Sequence, residues 1–506
     1  MRKELVSLSK ETLIYGTSTV VSRFLNFLLV PFYVNVLAST AEYGIASSLY
    51  AWIAFLNVIY PLGLEGAYFR FAAKGEHEER TMDEERKYFS SPFTVLLIIG
   101  VLLSSILFLL APHLASPIFN DPKTDITSMM PMLISILQFS AVILLCDSLS
   151  VLPFAVLRLE HKAKRFAAIK LANIIITLAL NFYFILGLKM GVQGIFLANL
   201  IASASTVLLL LPSFLPRLKL SIDREVLRKM IPFGLTNVPA YLGAMMVQVI
   251  DRPIVQAYLG LGAVGIYQAN YRMGFIMMVF VSLFEYAWRP FFMRQHKTDD
   301  ARARLLFSRI FTYFMLICLL AFLFLAFFLP YILSTPIFGR QLLRSDYLVG
   351  MNIIPVVLFA YIFQGMYTNF IAGIYIKNRN RVLPIITGVG AGVNVLANIT
   401  LIPILGIMGA AFATLAAYIL MAYLIYRESQ KVYPIQYEWA RVMELFLDVA
   451  VSYGVERIVV GSEILVNPIH LLVLRSILFI GALASLYKRF FSASEIELLK
   501  GLLHRK

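Results

Sequence analysis

Apolar runs of about 20 residues or more follow one another along the whole chain, separated by short polar loops. That is the length an α-helix needs to cross the hydrocarbon of a bilayer. The runs predict about fourteen spanning helices, at 12–38, 43–66, 91–115, 129–156, 166–187, 191–215, 230–258, 263–288, 307–333, 348–375, 382–404, 407–427, 441–461 and 466–487. The short alternation of apolar and polar positions that builds a membrane barrel is absent. The expected class is an all-α integral membrane protein.

The pattern also repeats. Residues 14–71 and 231–295 read as the same charged hairpin. Pro31 matches Pro253, and AEYGIASSLYAW matches GAVGIYQANYRM at Gly44/Gly265, Ile45/Ile266 and Tyr50/Tyr271. LEGAYFRF matches FEYAWRPF at Glu65/Glu285 and Ala67/Ala287. Further along, LNFYFILGLKMGVQGIFLANLIAS has its counterpart in ANITLIPILGIMGAAFATLAAYIL, and the basic elbow RLEHKAKRFAAIK in IYIKNRNRVLP. Two six-helix units therefore cover roughly 11–215 and 228–427. Each holds an even number of helices, so both enter from the same side and form parallel repeats, with a binding site expected at their interface. The expected organisation is an N-lobe at 1–221 and a C-lobe at 222–432 around a central polar cavity. Two extra helices and a C-terminal segment follow at 433–506. The charged stretch 216–229 is expected to be a surface helix joining the lobes.

Composition agrees: 506 residues, 60% hydrophobic and 14% charged, with mean hydropathy +0.79. A net charge of +15 suggests nucleic acid in a soluble protein, but its distribution decides otherwise. Of the 44 Lys and Arg, five (Arg23, Arg252, Arg272, Arg457 and Arg475) are assigned to the predicted spans, while Lys170, Arg309, Arg427 and Arg441, at span ends, are counted with the loops they adjoin. Four (Lys123, Lys189, Arg340 and Arg344) lie in one set of alternate loops, and the remaining 35 in the other set. Such asymmetry is the positive-inside rule, placing both termini in the cytoplasm. The basic loops then face anionic lipid, not nucleic acid. The first apolar run follows Lys3 and Lys10 and is too long for a signal-peptide core, so it reads as a retained helix. Cys146 and Cys318 both fall inside apolar runs, which argues against a disulfide framework.

Catalytic signatures are missing. No GxxxxGK[ST] phosphate loop and no HExxH occur, and the six His residues do not cluster at metal-ligand spacing. The polar loops around 72–90, 289–306 and 334–347 are too short to fold a catalytic unit. The expectation is a protein that is not an enzyme and needs neither cofactor nor metal.

What remains is charge inside apolar helices, which normally faces a bundle interior or a watery cavity. Arg252 and Arg272 lie about ten residues on either side of a tight turn at Gly260–Gly262, hence about 15 Å below the outer surface. Gln248 and Gln268 each precede one of them by four residues and share its helix face. Arg23, with Asn26 one turn on, sits at comparable depth in the first repeat. Guanidiniums at one level suit a phosphate-bearing ligand, because the planar fork binds phosphate oxygens bidentately. The alternative is that Arg252 merely pairs with Asp251 or Glu285, and Arg272 with a residue of another helix. Asp251 and Arg252 are about 100° apart, so one can pair while the other faces the cavity. Glu65 and Glu285, at equivalent helix ends, are candidate gates that pair with basic residues of the opposite lobe in the outward-open state. Asp147, the one acid within the fourth span, is a candidate for ion coupling.

The stretches SRFLNFLLVPFYVNVLASTAEYGIASSLYAW, PLGLEGAYFRF and IDRPIVQAYLGLGAVGIYQANYRM resemble the polysaccharide (O-antigen type, Wzx-like) flippases. These belong to the multidrug/oligosaccharidyl-lipid/polysaccharide (MOP) exporter superfamily, and the resemblance covers roughly residues 10–430. SRFLNF with Glu65-Gly66-Ala67 also resembles the lipid II flippase branch, from which Arg23 and Glu65 carry over. That branch has a further Arg–Asp pair where this chain has Leu28, Leu29 and Val30, which points away from lipid II. The resemblance implies alternating-access translocation of an undecaprenyl-diphosphate-linked oligosaccharide across a bacterial inner membrane. The implied partners are that lipid-linked oligosaccharide, membrane lipids, and the glycan polymerase and glycosyltransferases of the same pathway. A cation-coupled multidrug exporter of the same superfamily is the alternative, and it favours acidic and aromatic cavity walls over arginines.

Overall fold

The computed structural model describes residues 25, 27–72, 82–219, 221–298, 300–337, 340–462 and 467–490. Arg23 and Asn26 lie outside them. The described chain is almost entirely helical, and its one ladder pairs Pro336–Ile337 with Arg340–Gln341. The helices are α1 (Phe27–Val36), α2 (Thr40–Ile59), α3 (Leu64–Ala72), α4 (Met82–Ile118), α5 (Met130–Leu159), α6 (Ala163–Asn181) and α7 (Gly191–Phe214). They continue as α8 (Arg224–Val249), α9 (Asp251–Leu259), α10 (Leu261–Thr298), α11 (Asp300–Ser334), α12 (Ile353–Ile376), α13 (Val382–Leu405), α14 (Ile407–Val432), α15 (Trp439–Gly461) and α16 (Pro468–Arg489).

Twelve helices among the described residues are long and apolar enough to cross a membrane, α2 and α3 together forming one of them. This is a multi-span membrane protein. Helix α1 is shorter than a span, and α15 is long enough but too charged to be among the twelve. Two predicted runs are broken. The second turns at Tyr60–Gly63, where Pro61 sits, and restarts as α3, and the seventh is interrupted at Ile250 between α8 and α9. The hairpin turn expected at Gly260–Gly262 is narrower, with Gly260 alone between α9 and α10. Much of the polar sequence at 82–90 and 289–298, expected as loop, is helical instead. Helix α10 has 38 residues, about 57 Å at 1.5 Å per residue, so its charged end runs well past the apolar layer.

Local sequence explains where helices begin. Ser39 caps α2, its hydroxyl accepting from the Glu42 amide at 3.2 Å, while Glu42 accepts from the Ala38 amide at 3.3 Å. This is a form of the capping box. Asp223 caps α8, accepting from the amides of Glu225 (2.9 Å) and Val226 (3.2 Å).

The chain divides into two compact units. One comprises the residues up to Arg272 with Leu383–Ala417, and the other comprises Met273–Val382 and the residues from Tyr418 onward. A cluster in the first unit packs Phe89, Phe93, Phe154, Phe166, Phe214 and Met230. The expected surface helix at 216–229 does not form. Residues 218–219 and 221–223 are non-helical and strapped to α4, and Arg224 opens α8 directly. Ser90 donates to the Arg217 carbonyl (2.7 Å) and accepts from the Lys219 amide (2.9 Å), while Ser91 accepts from the Asp223 amide (3.0 Å). Two hydroxyls thus satisfy backbone groups that a helix would have paired internally, and the Asp223 cap sets the start of α8.

The second unit contains a comparable strap. Ser308 donates to the Gln436 carbonyl (2.6 Å) and Arg304 to the Pro434 carbonyl (3.1 Å). Beneath it lies a cluster of Trp288, Phe292, Phe307, Tyr433 and Ile435. Two of the acidic groups of α15 have partners on α16. Glu456 is buried against Arg475 of α16 at 2.7 Å, and Asp448 accepts from Ser485 at 3.3 Å. Met443, Leu447, Val451 and Ile458 form its exposed apolar face.

Candidate functional site

Two close backbone approaches arrange the site, both within the first unit. A Cβ on Gly44 would lie 1.9 Å from the Leu261 carbonyl oxygen, and one on Gly265 would lie 2.0 Å from that of Thr40. Helices α2 and α10 therefore touch main chain to main chain. At the other end of α2, Gly63 adopts φ +66° and a Cβ there would fall 2.2 Å from the Gly234 carbonyl of α8. Only glycine permits such contacts.

Beside the first approach, α9 and α10 form a hairpin whose interior is a polar cluster. Arg252, only 6% exposed, donates from Nε to Gln268 Oε1 (2.9 Å) and from Nη1 to Asp251 Oδ1 (2.8 Å) and the Gln248 carbonyl. Its guanidinium lies over the Tyr271 ring, 4.9 Å from the centroid. Asp251, 1% exposed, also accepts from the Tyr267 hydroxyl at 2.5 Å. A buried charge is tolerated when paired and hydrogen-bonded, and here each Asp251 oxygen accepts a bond while Arg252 is its counter-charge. The hairpin is fastened to the end of α4 from outside. Asp121 accepts from the Leu261 amide at 3.0 Å, capping α10, and the Gln256 amide donates to the carbonyls of Ile118 (2.8 Å) and Asn120 (3.0 Å).

The first unit also contains a cavity of about 420 Å³ between α2, α5, α6 and α7. Thirteen residues line it, and only Pro61, Val151 and Phe154 are apolar. At one end Glu65 pairs with Arg158 at 3.0 Å. Deeper in, Asp147 accepts from Ser203 at 2.8 Å, with Asn57 and Lys170 close by. Asn173 donates to Thr206 (2.9 Å), and Asn199 donates to the Tyr50 hydroxyl (3.2 Å). Tyr50 lies near both Asp147 and Arg272, and Tyr33 and Tyr43 also lie near Arg272.

The placements differ from the sequence reading in several respects. Arg252 is part of the hairpin's own polar cluster, the pairing with Asp251 that the sequence left open. Gln268, grouped by spacing with Arg272, bonds Arg252 across the hairpin. Gln248 is exposed and contributes its backbone carbonyl. Glu65 pairs with Arg158 of its own unit, whereas Glu285 lies exposed in the other. Arg158 and Lys170, read as a basic elbow that set topology, are cavity residues. The available signal was the spacing of Asn199, Ser203 and Thr206, which places three polar groups on one face of α7.

This helix arrangement is that of MOP-superfamily transporters. Lipid II flippase MurJ in an inward closed conformation matches with a TM-score of 0.71 at 15% identity, covering 94% of this chain and 99% of that one. An inward-facing multidrug resistance MATE family transporter matches with a TM-score of 0.59 at 14% identity, over 87% and 98%. A MOP superfamily transporter from Pyrococcus furiosus matches with a TM-score of 0.56 at 15% identity, over 87% and 95%. At such identities the likeness is one of fold. Residues 36–346 match the family described as polysaccharide biosynthesis protein, and the chain belongs to that family. No curated protein gives a significant match.

Proposed function

We propose that this protein is a flippase, not an enzyme. It turns an undecaprenyl-diphosphate-linked oligosaccharide from the cytoplasmic to the periplasmic leaflet of a bacterial inner membrane by alternating access. The observation that carries the reading is the polar cavity buried among spanning helices, with ten polar residues among thirteen. Ligand pockets are ordinarily lined mainly by apolar side chains, and an apolar drug favours such walls. A hydroxylated head group needs the opposite lining, because each polar group taken from water must find a hydrogen-bond partner.

In this reading the diphosphate docks on Arg23 and Arg272. Arg252, engaged by Asp251 and Gln268, holds the hairpin in place. The prenyl tail stays in lipid. Glu65 with Arg158 forms one gate at the cavity mouth, and Glu285 belongs to a second. Asp147 is the residue available for ion coupling.

The test is reconstitution into liposomes carrying undecaprenyl-diphosphate N-acetylglucosamine, with exposure of the sugar followed by an added galactosyltransferase. Wild type is expected to expose inner-leaflet lipid, and Arg272→Ala to slow this at least tenfold. No exposure above protein-free liposomes, together with uptake of ethidium driven by a sodium or proton gradient, would establish the exporter alternative instead. Translocation of lipid II in preference to this probe would assign the protein to the other branch.

A further inference from the structure

The cavity contains more hydrogen-bonding capacity than its own residues use. Among the described residues the Lys170 ammonium makes no hydrogen bond; it rests over the Phe154 ring, 4.3 Å from the centroid. Asn173 and Asn199 each use a donor, on Thr206 and Tyr50, and no described group donates to their amide oxygens. Asp147 accepts from Ser203 and is also hydrogen-bonded by Asn57, which leaves part of the acceptor capacity of its two oxygens unused. The charges balance, with Lys170 and Arg158 against Asp147 and Glu65. A site built for a dianion carries surplus positive charge, and this one carries none. Its volume, about 420 Å³, lies within the roughly 300–1,000 Å³ of small-molecule sites.

Donors and acceptors interleaved in a neutral, ligand-sized space suit a polyhydroxylated molecule, since every hydroxyl both donates and accepts. We infer that this cavity is a saccharide subsite that seats the sugar joined directly to the diphosphate, with Lys170 donating to its hydroxyls and Asp147, Asn173 and Asn199 accepting from them. Tyr50 gives the order of the two groups. Its hydroxyl is held by Asn199 at the cavity wall, and it is also close to Arg272. The first sugar thus lies next to the diphosphate position. This inference rests on the flippase reading above and adds where the glycan is read.

The experiment measures binding of two probes to the full-length protein in nanodiscs by native mass spectrometry: undecaprenyl diphosphate and undecaprenyl-diphosphate N-acetylglucosamine. Asn173→Ala and the charge-neutral pair Asp147→Asn with Lys170→Met are the variants, the pair chosen to avoid leaving one charge unpartnered. Each is expected to weaken the glycosylated probe about tenfold or more, in line with losing hydrogen bonds to charged or amide groups. Binding of the bare diphosphate should change less than about twofold. Equal weakening of both probes would place the diphosphate in this cavity and overturn the inference, as would no weakening of either. Wild type binding the two probes equally would also overturn it while leaving the flippase reading intact. Wild type binding neither would remove that reading and this inference together.

Discussion

The contact between α2 and α10 offers the sharpest prediction. Replacing Gly44 by alanine puts a Cβ 1.9 Å from the Leu261 carbonyl oxygen, and real Cβ contacts essentially never fall below 3.0 Å. The main chains must therefore separate by at least about 1.1 Å, with no flexible side chain available to yield. Overpacking of this kind costs about 1–3 kcal/mol. In an alternating-access protein that cost applies only to the state in which these helix ends touch, so the equilibrium shifts toward the open state by about 5–150-fold. The topology expected from the loop charges would place these ends at the outer face. Ile45, fully buried on α2, is a suitable reporter. Ile45→Cys, in a background lacking Cys146 and Cys318, should react slowly with an impermeant maleimide added outside spheroplasts. Adding Gly44→Ala should raise the rate about tenfold or more, whereas Gly392→Ala, whose Cβ meets nothing within 4 Å, should leave it unchanged. An unaltered labelling rate in the Gly44→Ala protein, with normal thermal stability, would refute the assignment of this contact as a gate.

Other expectations follow from the same geometry. Arg252→Met alone leaves the buried Asp251 carboxylate without its guanidinium, a loss of about 3–5 kcal/mol, while the double variant with Asp251→Asn should recover most of it in a thermal-shift assay; equal destabilisation by both would contradict the pairing. Asp121→Ala removes the cap on α10 and should cost about 1 kcal/mol, raising Ile45→Cys labelling in the same direction as Gly44→Ala but less. Two negative charges moving outward across about 100 mV, inside negative, gain up to about 4.6 kcal/mol, so imposing that potential with valinomycin should speed translocation in liposomes, and indifference to potential would count against a dianionic head group.

The sequence by itself determined the solvent. Uninterrupted apolar runs leave no other state in which the chain can be stable, and the near-absence of Lys and Arg from one set of loops follows from insertion rather than packing. It also marked Gly44 and Gly265 as corresponding positions, although nothing in one dimension says that corresponding glycines touch. Charged helices were recognisable, but their partners were not. Spacing grouped Gln268 with Arg272 because both lie on one face of one helix, whereas the hairpin brings Gln268 against Arg252 from another element. Lys170 and Arg158 looked like topology-setting charge because a basic residue near a span end fits that rule equally well whether it faces headgroups or a cavity. Helix periodicity fixes which residues share a face. Which neighbour that face meets depends on contacts far apart in the chain, and those were decided only by the tertiary structure.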